Sequence, residues 1–221
     1  MTQSFGTKCS LALIALVALS ATGLLAQPAP RAMEQGAGRM NMAQMEAMMT
    51  SWPKASRDAA MFMTTKYGAP AAMTADMALW GKTGPWKRTI VFAREYAHEF
   101  PMHHTDVMQQ WIDYKAPAGT YDELAMYDGS VVLERTAGEM SARCDKEGAN
   151  FLALNLAHDV VTGKQSVQGA RSMYGEQIMA MKAMKPAPYT ERLLFAPMTD
   201  TGDPDRALTA AATGGPSGAR R

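Results

Sequence analysis

Cysteine is nearly missing from this chain. It has two in 221 residues, Cys9 and Cys144, and Cys9 falls in a first segment that reads as removable. One remaining cysteine forms no internal disulfide. Cys-x-x-Cys and Cys-x-x-Cys-His are absent, which excludes a thiol-redox motif and c-type haem attachment. A charge excess is missing too. The 22 basic residues nearly cancel the 21 acidic ones, and no basic patch interleaved with aromatics occurs, so a nucleic-acid partner is not expected. Gly-x-Ser-x-Gly, His-Glu-x-x-His, an EF-hand loop and a dinucleotide fingerprint are all absent. Gly81-Lys82-Thr83 imitates the end of a phosphate loop, but the earlier glycine position holds Asp76. Long apolar runs are confined to the first segment.

What is present is enough apolar content for a core: 47% hydrophobic and 19% charged residues exclude global disorder. Residues 1–26 read as a secretory signal peptide. Lys8 gives the positive region, Leu11–Leu19 the apolar region, and Ala26-Gln27 the cleavage point. A retained anchor is the alternative, but the run is short and broken by Ser20, Thr22 and Gly23. Cys9 precedes the apolar run, so lipoprotein processing does not fit. The expected location is periplasmic or secreted in a bacterium, with no membrane span after cleavage.

Residues 27–52 read as a Met-rich mobile leader, helical near Asn41–Thr50, and residues 198–221 as a disordered tail. A single domain is expected over 53–197. Its pattern predicts an α+β fold: an antiparallel sheet of about four to five strands, packed by a buried helix and a C-terminal amphipathic helix. A helix is expected over Ala55–Tyr67, with Ser56 as a cap, and strands over Met73–Trp80, Trp86–His98 and His104–Tyr114. Tyr121–Tyr127 reads as a short helix, and Ser130–Arg135 with Glu139–Cys144 as a hairpin. Asp145 is placed as the cap of an apolar helix over Lys146–Thr162 and Ser166 as the cap of the last helix. Val167, Ala170, Tyr174, Ile178 and Met181 form its apolar stripe. Tyr189–Ala196 reads as an edge strand.

A hairpin across Glu99–His103 would set His98 opposite His104, Tyr96 opposite Asp106 and Arg94 opposite Met108. Its even-numbered residues would then share an apolar face. His98, His104 and Asp106 would cluster at its mouth beside Met102 and His103, with Arg94 diagonal to Asp106. Three readings fit: a solvated polar hairpin end, a copper or zinc ion held by His98, His104 and Asp106, or acid–base chemistry. Ligand contacts are assigned to Arg94, His98, His104 and Asp106, with Trp86 and Trp111 as aromatic anchors.

Methionine is abundant, 20 residues. An exported Met-rich leader suits Cu(I), through Met40, Met42, Met45, Met48 and Met49, or else an adaptable apolar partner surface. Cys144 is placed facing the core as an inert small hydrophobe, against a sharper reading as a helix-end thiol. His158 reads as a satisfied core histidine.

Gly84–Val91, His104-Thr-Asp106, Trp111–Tyr114, Tyr127–Ser130, Glu134–Thr136, Ser141–Asp145 and Asn150–Leu156 together resemble an uncharacterised family of exported bacterial proteins. The resemblance covers about Tyr67 to Phe195. It implies a dedicated single domain and supplies no activity and no catalytic residues. The expected role is therefore an exported binding or interaction module for a small ligand or an envelope protein, with the hydrolase as its rival.

Overall fold

The computed structural model describes residues 42–208. The signal peptide and its cleavage point, the first part of the leader with Met40, and the end of the tail from 209 lie outside the described residues.

Eleven elements follow one another: α1 (Met42–Met48), α2 (Lys54–Tyr67), β1 (Ala72–Met73), β2 (Met77–Trp80), β3 (Arg88–His98), β4 (His104–Asp113), α3 (Tyr121–Tyr127), β5 (Val131–Glu134), β6 (Glu139–Cys144), α4 (Glu147–Val161) and α5 (Val167–Lys182). The fold is α+β. Its single antiparallel sheet has six strands in the order β1-β2-β3-β4-β6-β5. The sixth strand arises because Met73–Trp80 is not one strand. Thr74 Oγ1 accepts from the backbone N–H groups of Asp76 and Met77, and the chain turns back on itself there. The β5–β6 hairpin returns so that β6, not β5, lies against β4.

The β3–β4 register holds at the loop end, with His98 opposite His104 and Tyr96 opposite Asp106. It fails further in. Val91, not Arg94, pairs with Met108, and the strand bulges between Val91 and Tyr96. Four residues of β3 there oppose one of β4, an odd excess, so the side-chain parity flips. Thr89 and Val91, rather than Ile90 and Phe92, share a face with Met108 and Gln110.

Two apolar clusters form on this framework. In one, Leu152, Leu154 and Leu156 of α4 are wholly buried with Ile112, Met140 and Tyr174. Each such leucine contributes about 1.5–3 kcal/mol relative to an exposed one. In the other, Met45, Met49 and Trp52 pack with Ala60, Met63, Trp80, Val91 and Met108. The packed body therefore begins ahead of Pro53: Met45 and Met49 of the leader are core, whereas Met42 is exposed. Between the clusters Gln110 holds a buried polar seam. Its amide donates to Thr89 Oγ1 at 3.3 Å, and its carbonyl accepts from Asn150 Nδ2 at 2.9 Å.

Three end signals differ from expectation. Ser56 does not cap α2. It is buried, its hydroxyl donates to the Ala93 carbonyl at 3.2 Å, and Pro53 stands at the helix start. Asp145 does not cap α4. Lys146 occupies that position, and the Asp145 carboxylate takes the Lys146 ammonium at 2.6 Å. Residues 189–196 form no strand; a 3-10 turn, Pro188–Thr190, opens the segment and the rest is irregular. Asn155 holds this segment instead. It donates to the carbonyls of Tyr189 and Arg192 and accepts from Leu194 N. Ser166 does cap α5, accepting from Gly169 N at 3.0 Å. The chain beyond 197 also packs: Thr201 is buried against the β5–β6 turn. No helix among the described residues is long and apolar enough to cross a membrane.

Candidate functional site

The hairpin β3–β4 sets His98 opposite His104, with ring centroids 5.0 Å apart and the rings tilted by 43°. Asp106 lies two residues along β4, its side chain only 1% exposed. His104 Nε2 is 3.1 Å from Asp106 Oδ1, and His98 Nδ1 is 3.3 Å from Asp106 Oδ2. The three donor groups offer atoms that all lie within 4.8 Å of one another.

The rest of the shell comes from elsewhere in the sequence. Ser130, just before β5, donates its hydroxyl to Asp106 Oδ2. The Ser130 amide donates to Asp128 Oδ1 at 2.8 Å, which fixes a second buried carboxylate 3.7 Å from His98 Nε2. Cys144, at the end of β6, places Sγ 3.4 Å from His104 Nε2. Arg143 lies over the Tyr96 ring at 4.3 Å, with Nε 4.0 Å from Asp106 Oδ2.

Arg94 does not join this centre. It sits in the bulge, exposed, over the Tyr96 ring at 4.9 Å. The bulge removes it from the diagonal with Asp106, and Arg143 takes that place. His103 is also outside, exposed and paired with Glu99 at 2.8 Å. Trp86 is no anchor: it is wholly buried, stacked on Phe151 at 4.7 Å, with its N–H given to Glu147. Trp111 is half-buried beneath the Arg88 guanidinium. His158 is satisfied by Tyr114, its Nδ1 2.9 Å from the hydroxyl, and stacks on Phe195.

The ring orientations limit the chemistry. A carbonyl only accepts, so His104 Nδ1, 2.8 Å from the Met102 carbonyl, carries a proton. His104 therefore presents Nε2 to Asp106 and Cys144 together. A nucleophile–base–orienter relay needs the carboxylate and the thiol on opposite ring nitrogens. Here they meet at the same one. Cys144 faces the core, buried in the first cluster as expected, and the shared ring nitrogen leaves it without the geometry of an activated nucleophile.

Electrostatically the centre is a tight balance. Burial pushes the Asp106 carboxyl up, but contacts from His104, His98 and Ser130 prevail and hold it down at about 2. His104 is pushed up to about 11, by Asp106 first and Cys144 second, against its burial. Burial raises the Cys144 thiol and the Asp128 carboxyl. Three buried atoms of the cluster lack a well-aligned hydrogen bond: His98 Nδ1, Asp106 Oδ1 and Arg143 Nε. His104 and Cys144 also line a cavity of about 170 Å³ with Met102, Ala149, Tyr174 and Ile178.

The partners that sequence reasoning missed, Ser130, Asp128, Arg143 and Cys144, all lie in or beside the β5–β6 hairpin. Its place against β4 leaves no local signal. Compared with protein-family models, with curated proteins and with solved structures, the chain matches none.

Proposed function

We propose that the protein is an exported binding module of the bacterial envelope, as the signal-peptide pattern of residues 1–26 suggests, and that its ligand is a transition-metal ion held by His98, His104 and Asp106. One observation carries this. Both imidazoles turn one nitrogen inward to the Asp106 carboxylate, and the other nitrogen of His104 is held by a hydrogen bond to the Met102 carbonyl, while that of His98 lies 3.7 Å from Asp128. In His104 this is the arrangement of a metal-bound histidine, with an outer acceptor fixing the tautomer and the ring angle.

The inward atoms suit an ion in another way. Two of them, His98 Nδ1 and Asp106 Oδ1, have no hydrogen-bond partner among the described residues, and a cation between them would supply one. An Nδ1 or Nε2 lone pair and a carboxylate oxygen fit zinc or copper better than magnesium or calcium, which prefer all-oxygen shells. Holding the ion is the activity proposed; no substrate turnover is assigned.

Native mass spectrometry with elemental analysis tests the reading. The protein is exported by a bacterial host and purified without chelator or imidazole. One equivalent of zinc or copper per chain is expected, lost in His98→Gln and His104→Gln variants that stay folded by circular dichroism. If the chain carries no ion and takes up neither Zn²⁺ nor Cu²⁺ in calorimetric titration, the reading is wrong.

A further inference from the structure

We propose that the chain carries a second binding site, a cleft between α2, the start of α4 and the end of α5 that takes a monocarboxylate with an apolar tail, of the size of a medium-chain fatty acid. Two cavities make the cleft. The smaller, about 170 Å³, is walled by Met102, Ala149, Tyr174 and Ile178. The larger, about 440 Å³, lies against Ala55, Ala59 and Phe62 of α2. Asp145, Lys146 and Met181 line both, so the two adjoin. Together they have the size and the mostly apolar lining of a small-molecule site, in which a few polar groups fix orientation.

The polar groups decide the ligand. Each carboxylate in the walls already has a cation: Asp58 has Lys54 at 2.5 Å, Asp145 has Lys146 at 2.6 Å, and Glu147 has Lys66. His103 and His104 are likewise paired, with Glu99 and Asp106. Lys182 is the exception. It has no carboxylate partner among the described residues, and its ammonium rests on the Met102 sulfur at 2.7 Å, a weak acceptor. Tyr174 supplies a second open group. It is 2% exposed and lines the smaller cavity, yet its hydroxyl makes no hydrogen bond among the described residues. Buried hydroxyls are normally bonded.

A carboxylate in the smaller cavity answers both groups. It accepts from the Tyr174 hydroxyl and gives Lys182 its counter-charge, in a charge-assisted contact. A cationic head would meet an unpaired ammonium, and a neutral one would leave it unpaired. The tail then runs past Met181 into the larger cavity, over Ala59 and Phe62, and covers a phenyl ring that is 42% exposed. Neither Lys182 nor Tyr174 belongs to the His98–His104–Asp106 group, so carboxylate binding and metal binding stand or fall separately.

Calorimetric titration of the full exported chain with octanoate tests this. One octanoate per chain is expected. Acetate, which lacks the tail, and octylammonium, which reverses the head charge, should not saturate the site over the same concentration range. Lys182→Glu should abolish octanoate binding. Tyr174→Phe, which keeps the ring packed on Phe100 and removes only the hydroxyl, should weaken it about tenfold. No saturable octanoate binding overturns the proposal. So does octylammonium binding as tightly as octanoate, which would mean an apolar surface without a carboxylate subsite, or an affinity unchanged by Lys182→Glu. Lys182 is exposed at the end of α5, so that variant decides even if Tyr174→Phe unfolds.

Discussion

Gly138→Ala is a sharp test of how the C-terminal segment is held. Gly138 closes the β5–β6 turn at φ +63, and its carbonyl accepts from Tyr114 N at 2.9 Å. A Cβ there would stand 1.8 Å from the Thr201 carbonyl oxygen and 2.5 Å from its carbon. Both are backbone atoms, so no rotamer change relieves the clash. Two separable costs follow. An alanine in the left-handed region costs about 1–2 kcal/mol wherever the tail lies. Displacing the segment then exposes Thr201, breaks the Met198 N to Asp113 carbonyl bond and releases the Arg135–Asp205 pair. The hydrogen bond is worth about 1 kcal/mol and the exposed pair about 0.2–1 kcal/mol. The whole effect is about 2–4 kcal/mol. The assay is urea unfolding followed by tryptophan fluorescence, in the full chain and in a chain ending at Met198. In the shortened chain Gly138→Ala should cost only the backbone term, so the cycle should show about 1–2 kcal/mol of coupling. Equal costs in the two backgrounds would refute the packing of Thr201 against this turn.

Other perturbations follow from the same contacts. Glu147 is buried at the start of α4 and accepts from Tyr67 and Trp86, each at 2.7 Å, as well as from Lys66. Glu147→Gln should lower stability by about 2–3 kcal/mol, less than the loss of a fully buried pair because Lys66 is 45% exposed; an unchanged urea midpoint would contradict the network. Asn155→Ala removes three hydrogen bonds from the 189–194 segment, about 1 kcal/mol each. It should speed proteolytic cleavage there before the core unfolds, read by timed digestion and mass spectrometry. The Glu139 carboxyl lies below its ordinary value of 4.5, held down first by the bidentate Arg88 contact and then by Lys87, against burial. A depressed carboxyl contributes stability above its unfolded value and loses it as pH falls through the folded one. The stability advantage of the native chain over Glu139→Gln should therefore be full above pH 4.5 and shrink below it, measured as urea midpoints from pH 6 to pH 3. A constant advantage would mean the pair does not shift Glu139.

The legible and illegible parts of this fold differ in a physical way. Alternation in Arg88–His98 and His104–Asp113, the turn chemistry between Glu134 and Glu139, and the apolar run of α4 are local signals. Each marks its element to within a residue or two at the ends. The bulge between Val91 and Tyr96 was hidden because Thr89 to Tyr96 alternates acceptably in either parity. Its backbone partners are tertiary: Ser56 donates to the Ala93 carbonyl and Ala93 N to the Asp76 carbonyl. Met45 and Met49 illustrate the same limit. Their spacing is helical, but only the open end of the second cluster, with Trp52 bonded to the Ala75 carbonyl at 2.7 Å, makes them core.

For the site, the hairpin loop was enough to set His98, His104 and Asp106 together, since three residues at a strand mouth are a local geometry. What decides their chemistry is not local. Asp128 and Ser130 precede β5, and Arg143 and Cys144 end β6. They reach Asp106 only because β6 inserts beside β4. A carboxylate seen only with two imidazoles and a distant arginine reads as a solvated ion pair. The same carboxylate, buried and with its second oxygen already taken by Ser130, has one oxygen left to share with His104. Which groups share that oxygen is set by β6 lying beside β4, a strand order that no motif in this sequence spells out.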